Sequence, residues 1–205
     1  MSKKEKYMQF YVWGDLALFT DPVSRGNGKQ SYDIPTYSAL RGIAEQIYWK
    51  PTINYVIDRA KVVKEIRHTN IGQLPLINGR LDAHSPMMYD YLEDVGYAVQ
   101  LHMEANPERK DLWHDFNLKK HETMFEKSLQ SGGRRPSCLG VTEARSYVRP
   151  IDYDAVKSFY EGTNINFGPM VHSINYMTKK VKMFSPVMID GEINFPYPDT
   201  LKKEI

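Results

Sequence analysis

Two stretches with apolar residues at helical spacing interrupt runs rich in aromatic and β-branched residues, and this alternation constrains the fold more than any other feature of the chain. In the first stretch, residues 37–48, Leu40, Ile43, Ala44 and Ile47 fall on one helical face. Thr36 stands where a capping hydroxyl is wanted, and Pro51 ends the segment. In the second stretch Asn117 is the N-cap and Leu118, Phe125 and Leu129 make the apolar stripe. Gly132-Gly133 then supplies a stop, because glycine readily takes the left-handed conformation that closes a helix. Strand-type runs lie around these helices: Tyr7 to Phe19, Ile53 to Ile66, Asp94 to Met103, and Ser137 to Pro150. The middle two are expected to be arms of a long hairpin with its tip over Gly72 to Arg80, where Pro75 and Asn78-Gly79 are turn formers. Residues 20–35 are too rich in turn formers for regular structure.

The resulting order is strand, helix, strand, strand, helix, strand. It predicts an α+β fold with a ferredoxin-like (RRM-like) N-terminal domain over residues 1–150, an antiparallel sheet backed by two helices. Residues 151–205 read as a small β-rich antiparallel C-terminal domain, opening with a short helix after Tyr153 and turning at Lys179-Lys180 and Asp190-Gly191. The chain closes on LKKEI without a finishing element, so this domain is expected to be truncated.

Composition narrows the class. With 41% hydrophobic and 25% charged residues the chain is a folded globular protein, not a disordered one. Its apolar runs fall far short of the ~18 residues of a membrane span. The charged N-terminus lacks a signal-peptide core, and the single Cys138 excludes an internal disulfide, so the expected location is the cytoplasm. A net charge of +2 is too small to declare a nucleic-acid binder by itself. The histidines lack metal-ligand spacing, GNGK at residues 26–29 lacks the rest of a phosphate loop, and His114-Asp115 has no supporting partners. Neither a metal nor a cofactor is therefore expected.

The second helix carries the chemical signal. Lys119, Lys120 and His121 crowd its first turn, where unpaired N–H groups and the helix dipole favour an anion. Each cation there is unfavourable by a few tenths of a kcal/mol, roughly. A bound phosphate would reverse that sign, and the helix field is expected to keep His121 poised between its protonation states near neutral pH. Arg134 and Arg135 follow the glycines, where they read either as solvated or as phosphate grips. Tyr48-Trp49 reads as a buried aromatic pair capping the core, with the Tyr48 hydroxyl at the rim.

Four segments in order, GDLALFTDP (14–22), SYDIPTYSALRGIAEQIYWKPT (31–52), KKHE (119–122) and SLQSGGRRPSCLGVTE (128–143), resemble the CRISPR-associated Cas-five family, subtype I-C. The resemblance runs from about residue 7 to about residue 198. It implies a repeat-processing endoribonuclease that matures guide RNA without a metal ion and stays as a subunit of the type I-C Cascade complex. It also implies a catalytic set of Tyr48, Lys120 and His121, with partners in the CRISPR repeat RNA and the other Cascade subunits and none in a membrane.

Metal-free RNA cleavage uses the substrate's own 2′-OH, and needs proton transfer plus a cation for the phosphorane. The expected roles are proton transfer by His121, charge stabilisation by Lys120, and orientation or protonation of the remaining oxygen by Tyr48. Lys50, Lys119, Lys127, Arg134 and Arg135 are the expected RNA-backbone contacts. The competing class is a non-catalytic RNA-binding scaffold, in which the Tyr48/Lys120/His121 set should be incomplete.

Overall fold

The protein is described by a computed structural model covering residues 7–22, 24, 28–74, 76–77, 80–81, 86–175, 178 and 180–198. The GNGK segment, the turn residues Pro75 and Asn78-Gly79, Lys179 and the closing LKKEI lie wholly or partly outside those residues. The elements in chain order are β1 (Met8–Ala17), α1 (Tyr37–Ile47), β2 (Ile53–Val62), β3 (His68–Gln73), β4 (Leu76–Ile77), β5 (Arg80–Leu81) and β6 (Met87–Ala105). A 3-10 segment (Pro107–Asp115) leads into α2 (Leu118–Gln130). Then come β7 (Ser137–Cys138), β8 (Arg145–Pro150), β9 (Asn164–Asn166), β10 (Met170–Asn175), β11 (Lys180–Phe184), β12 (Val187–Ile189) and β13 (Glu192–Asn194).

The architecture is mixed, dominated by antiparallel sheet with few helices. One sheet runs β7-β8-β1-β6-β2-β13-β12-β9, with β3 paired to β6 outside that path. The 19-residue β6 is its spine. One edge of β6 pairs with β1, and the other pairs first with β3 and then with β2. Residues beyond 151 continue this sheet, because β13 bonds β2 through Ile193 opposite Ala60. β10 and β11 form a separate hairpin. No helix among the described residues is long and apolar enough to cross a membrane.

Alternation along the strands separates two faces. Phe10 and Val12 of β1, Tyr55 and Ile57 of β2, and Val99 and Leu101 of β6 face the helices. There they meet Leu40, Ile43 and Ile47 of α1 and Phe125 and Leu129 of α2. Full burial of each such side chain contributes about 1.5–3 kcal/mol. Both expected caps form: the Thr36 hydroxyl accepts from the Ala39 N–H, and Asn117 Oδ1 accepts from the Lys120 N–H. Leu118, expected in the stripe, is exposed in the first turn.

Several expected boundaries change. The strand proposed over 137–150 is two strands separated by a turn, because the Leu139 carbonyl accepts from the Leu18 N–H across the fold while its own N–H donates to Ala144 O. Gly140 sits in that turn at φ +88, and a side chain there would run into the Leu18 carbonyl. The helix expected after Tyr153 is a run of turns. The carbonyls of Tyr153 and Val156 accept from Lys61 Nζ, and the Val156 N–H closes only a turn onto Tyr153 O at 3.4 Å. β2 stops at Val62, and β6 begins at Met87, earlier than Asp94.

The helix ends are knit together. Gly132 and Gly133, at φ +83 and +96, turn the chain back from α2, their N–H groups donating to Leu129 O and Ser128 O. The next two N–H groups, of Arg134 and Arg135, donate to Ile47 O at 3.0 Å and Gln46 O at 3.2 Å, carbonyls that the end of α1 leaves without helical partners. A Cβ on Gly133 would lie 3.5 Å from Ile47 Cα. Gly133→Ala is therefore expected to lower stability by roughly 1–2 kcal/mol through left-handed strain. The urea midpoint should fall at unchanged slope; an unshifted midpoint would show that the turn does not need glycine.

Candidate active site

Tyr48 is the residue that closes α1. Its N–H donates to Ala44 O, and its backbone is extended at φ −151 and ψ 136. Extended geometry sends successive side chains to opposite sides, so Tyr48 turns inward while Trp49 is 47% exposed. This corrects the expectation of a buried Trp49. The Tyr48 carbonyl accepts from the buried Tyr55 hydroxyl at 2.6 Å, fixing the turn against β2. Lys50 is exposed immediately after, and the chain enters β2 through Pro51 and Thr52. Asn106, just past β6, holds that entry: its N–H donates to Thr52 O at 2.9 Å and its Nδ2 to Pro51 O at 3.0 Å.

His121 reaches this corner from α2. It is 6% exposed and both ring nitrogens are occupied, Nδ1 by the Tyr48 hydroxyl at 3.0 Å and Nε2 by the Thr52 hydroxyl at 3.3 Å. Either neutral tautomer satisfies both bonds, since each hydroxyl can donate or accept. The Phe116 ring covers the imidazole at 5.8 Å between centroids. Burial, and then the charges of Lys120 and Lys50, push the His121 pKa below the ordinary histidine value. Burial likewise raises the Tyr48 phenol. The ring is therefore neutral at pH 7, and burial rather than the helix field is the leading cause.

The structure thus brings Tyr48, His121, Lys120 and Lys50 together. Lys119 is exposed beside Lys120. Arg134 and Arg135 hold the end of α1 through their backbone, leave their side chains in solvent, and lie close enough for Arg134 to act electrostatically on Tyr55. Lys127 is exposed nearly two turns along α2 from His121, roughly 9 Å by helical rise, and does not join the cluster. Sequence reasoning missed Thr52, Asn106 and Phe116. Nothing local marks a threonine after Pro51 as a histidine partner; the contact exists only because β2 and α2 meet. Among the described residues no group of three or more His, Cys, Asp or Glu is arranged to hold a metal ion.

Chemically, the corner offers two proton-handling groups in direct contact, beside two cations. Both ring nitrogens of His121 are engaged within the protein, and Lys50 and Lys120 place positive charge beside them.

A family model described as CRISPR-associated protein (Cas5) matches residues 7–196. A CRISPR pre-crRNA endoribonuclease Cas5d from Mannheimia succiniciproducens is 29% identical, over 96% of this chain and 98% of that protein. A protein of the same name from Thermus thermophilus is also 29% identical, over 81% of this chain and 72% of its own. Among solved structures, a CRISPR-associated protein superposes with a TM-score of 0.80 at 33% identity, covering 97% of this chain and 95% of that one. A functionally uncharacterized protein from Streptococcus mutans superposes with a TM-score of 0.76 at 35% identity, covering 97% and 96%. With the match spanning nearly its whole length, the chain belongs to the CRISPR-associated Cas5 family, the Cas5d group of subtype I-C.

Proposed function

We propose that this protein is an endoribonuclease that cuts the repeat hairpin of precursor CRISPR RNA by attack of the substrate's 2′-OH, without a metal ion, and stays with the product as a subunit of the type I-C Cascade complex in the cytoplasm. The observation that carries this reading is the hydrogen-bonded Tyr48–His121 pair beside Lys50 and Lys120. The activity for which the Cas5d relatives are named supports it. In this reading His121, neutral at pH 7, takes or gives the proton, Lys120 neutralises the phosphorane, and Tyr48 orients or protonates the remaining oxygen. Products would be a 2′,3′-cyclic phosphate and a 5′-hydroxyl. Lys50, Lys119, Lys127, Arg134 and Arg135 would contact the RNA backbone, with shape and phosphates dominating recognition of the stem. The strand order β8-β1-β6-β2, with α1 and α2 on one face, is read as a ferredoxin-like core within 1–150, and 151–205 as its β-rich extension.

A second reading, an RNA-binding scaffold without catalysis, is favoured by one observation: the His121 ring is buried with both nitrogens satisfied inside the protein. Cleavage separates the two. The protein is expected to cut a repeat-hairpin RNA in EDTA and to leave the same RNA intact when the nucleotide at the cut carries 2′-deoxyribose. A metal requirement, or cutting of the 2′-deoxy RNA, would sink the mechanism.

His121→Ala should slow cleavage by about 10²- to 10⁴-fold while hairpin binding persists; undiminished cleavage would take His121 out of the chemistry. Because Lys50 opposes protonation of His121, Lys50→Gln should raise the His121 pKa, read by NMR titration of the ring. If His121 acts as the base, activity falls as pH drops through that pKa. The acid limb of the rate profile should then lie below the ordinary histidine value of about 6.5 and move upward in Lys50→Gln.

A further inference from the structure

Among the described residues, the face of the sheet turned away from the helices is covered over one half and more open over the other. On β1, Phe10 and Val12 enter the core, so Gln9, Tyr11 and Trp13 point the opposite way. On β8, Ser146 and Val148 are buried, while Arg145, Tyr147 and Arg149 project onto that same face. Register places Trp13 opposite Tyr147 and Tyr11 opposite Arg149.

Over β2 and the middle of the sheet, the chain covers the face itself. Tyr153 is 0% exposed, takes the Gln9 side chain on its N–H, and donates from its hydroxyl to Glu192. The Arg59 guanidinium and the Lys61 ammonium lie over its ring at 4.5 and 4.7 Å. This half is also lined with carboxylates: Asp154 and Glu192 pair with Arg59, and Asp58 and Glu104 flank His102.

The β1–β8 half repeats the ring-and-cation chemistry with nothing laid over Tyr147 among the described residues. Tyr11 and Trp13 stack at 5.5 Å and 22°, and Trp13 continues to Tyr147 at 5.7 Å. Arg149 spans the Tyr11 ring at 5.2 Å and the Trp13 ring at 5.9 Å. Tyr147 is 60% exposed, and Arg145 and Arg149 have no ion pair among the described residues. Gly96 lies opposite Trp13, and a side chain there would run into the Tyr11 hydroxyl, so the ladder stands directly on the sheet backbone.

We propose that the helix-free face of β1 and β8 binds single-stranded nucleic acid, unpaired bases stacking on Tyr147, Trp13 and the Arg149 guanidinium while phosphates reach Arg145 and Arg149. An exposed Tyr147 ring ending an aromatic ladder, with arginines that have no ion pair among the described residues beside it, fits a stacked, negatively charged strand. This surface is on the opposite side of the sheet from His121 and does not rest on the cleavage reading.

The test measures affinity of the full chain for unstructured oligonucleotides of about 12 nucleotides, (rU)12 and (dT)12, in a salt series. Tyr147→Ala, a surface change whose melting midpoint should match the parent's, is expected to weaken binding of the RNA oligonucleotide about 5- to 150-fold. Comparable weakening for the DNA oligonucleotide assigns the surface to stacking and phosphates alone; weakening for RNA only adds a 2′-OH contact. Arg149→Gln should reduce the slope of log affinity against log salt by about 0.7. In parallel, 5-iodouridine in the oligonucleotide should photocrosslink to the peptide bearing Tyr147 or Trp13, a readout independent of variant folding. Parent-like affinity in both variants, affinity lost only in Arg134→Ala with Arg135→Ala, crosslinks confined to α1 and α2, or no binding by the parent chain at low salt would each overturn the proposal.

Discussion

The hydrogen bonds from the Arg134 and Arg135 N–H groups to Ile47 and Gln46 join the exit of α2 to the end of α1, and the geometry of the corner depends on them. A helix end buried without donors is strongly unfavourable, since each orphaned carbonyl forfeits a hydrogen bond in a poorly hydrated place. Two left-handed glycines provide those donors by reversing the chain at the right spot. Ser128 adds its hydroxyl to the same Ile47 carbonyl. With α1 held this way, Tyr48 must leave the helix extended, and its hydroxyl arrives at the imidazole that α2 carries seven residues before Ser128. The Gly-Gly-Arg-Arg segment therefore works first as backbone, with two guanidinium groups left over at the surface.

The same logic explains the cations at the start of α2. Asn117 occupies one amide of the first turn, yet Lys119 and Lys120 remain at the positive end of the helix, opposite in sign to what the dipole prefers. Lys50 adds a third positive charge from the α1 side. Repulsion among them disfavours a protonated His121, as burial does, so the corner combines a neutral imidazole with a surplus of positive potential. The positive potential is what an anion would meet at this corner.

Elements were legible wherever their cause is local. Thr36, Asn117 and the spacing of Leu40, Ile43, Ala44 and Ile47 act within a turn or two, and both helices stand where they predict. The antiparallel strands follow from β-branched and aromatic runs in the same way. What was illegible depended on distant partners. Trp49 faces solvent because Tyr48, one residue earlier, is claimed by β2 and α2. The turn within 137–150 exists because Leu139 pairs with Leu18, and the turns after Tyr153 take a donor from the distant Lys61. Thr52 became visible only once His121 was placed in three dimensions.

Strand β6 has a further consequence, for which changes of sequence length the molecule can absorb. It carries partners on both edges and packed side chains on both faces, from the β3 arm at one end to the Asn106 contact with Thr52 at the other. Inserting one residue within it would exchange its two faces downstream. Val99 and Leu101 would turn away from the helices, and the strand behind the Tyr11–Trp13 ladder would lose its match at the same moment. A one-residue insertion is therefore far more disruptive within β6 than in a loop that carries no paired register.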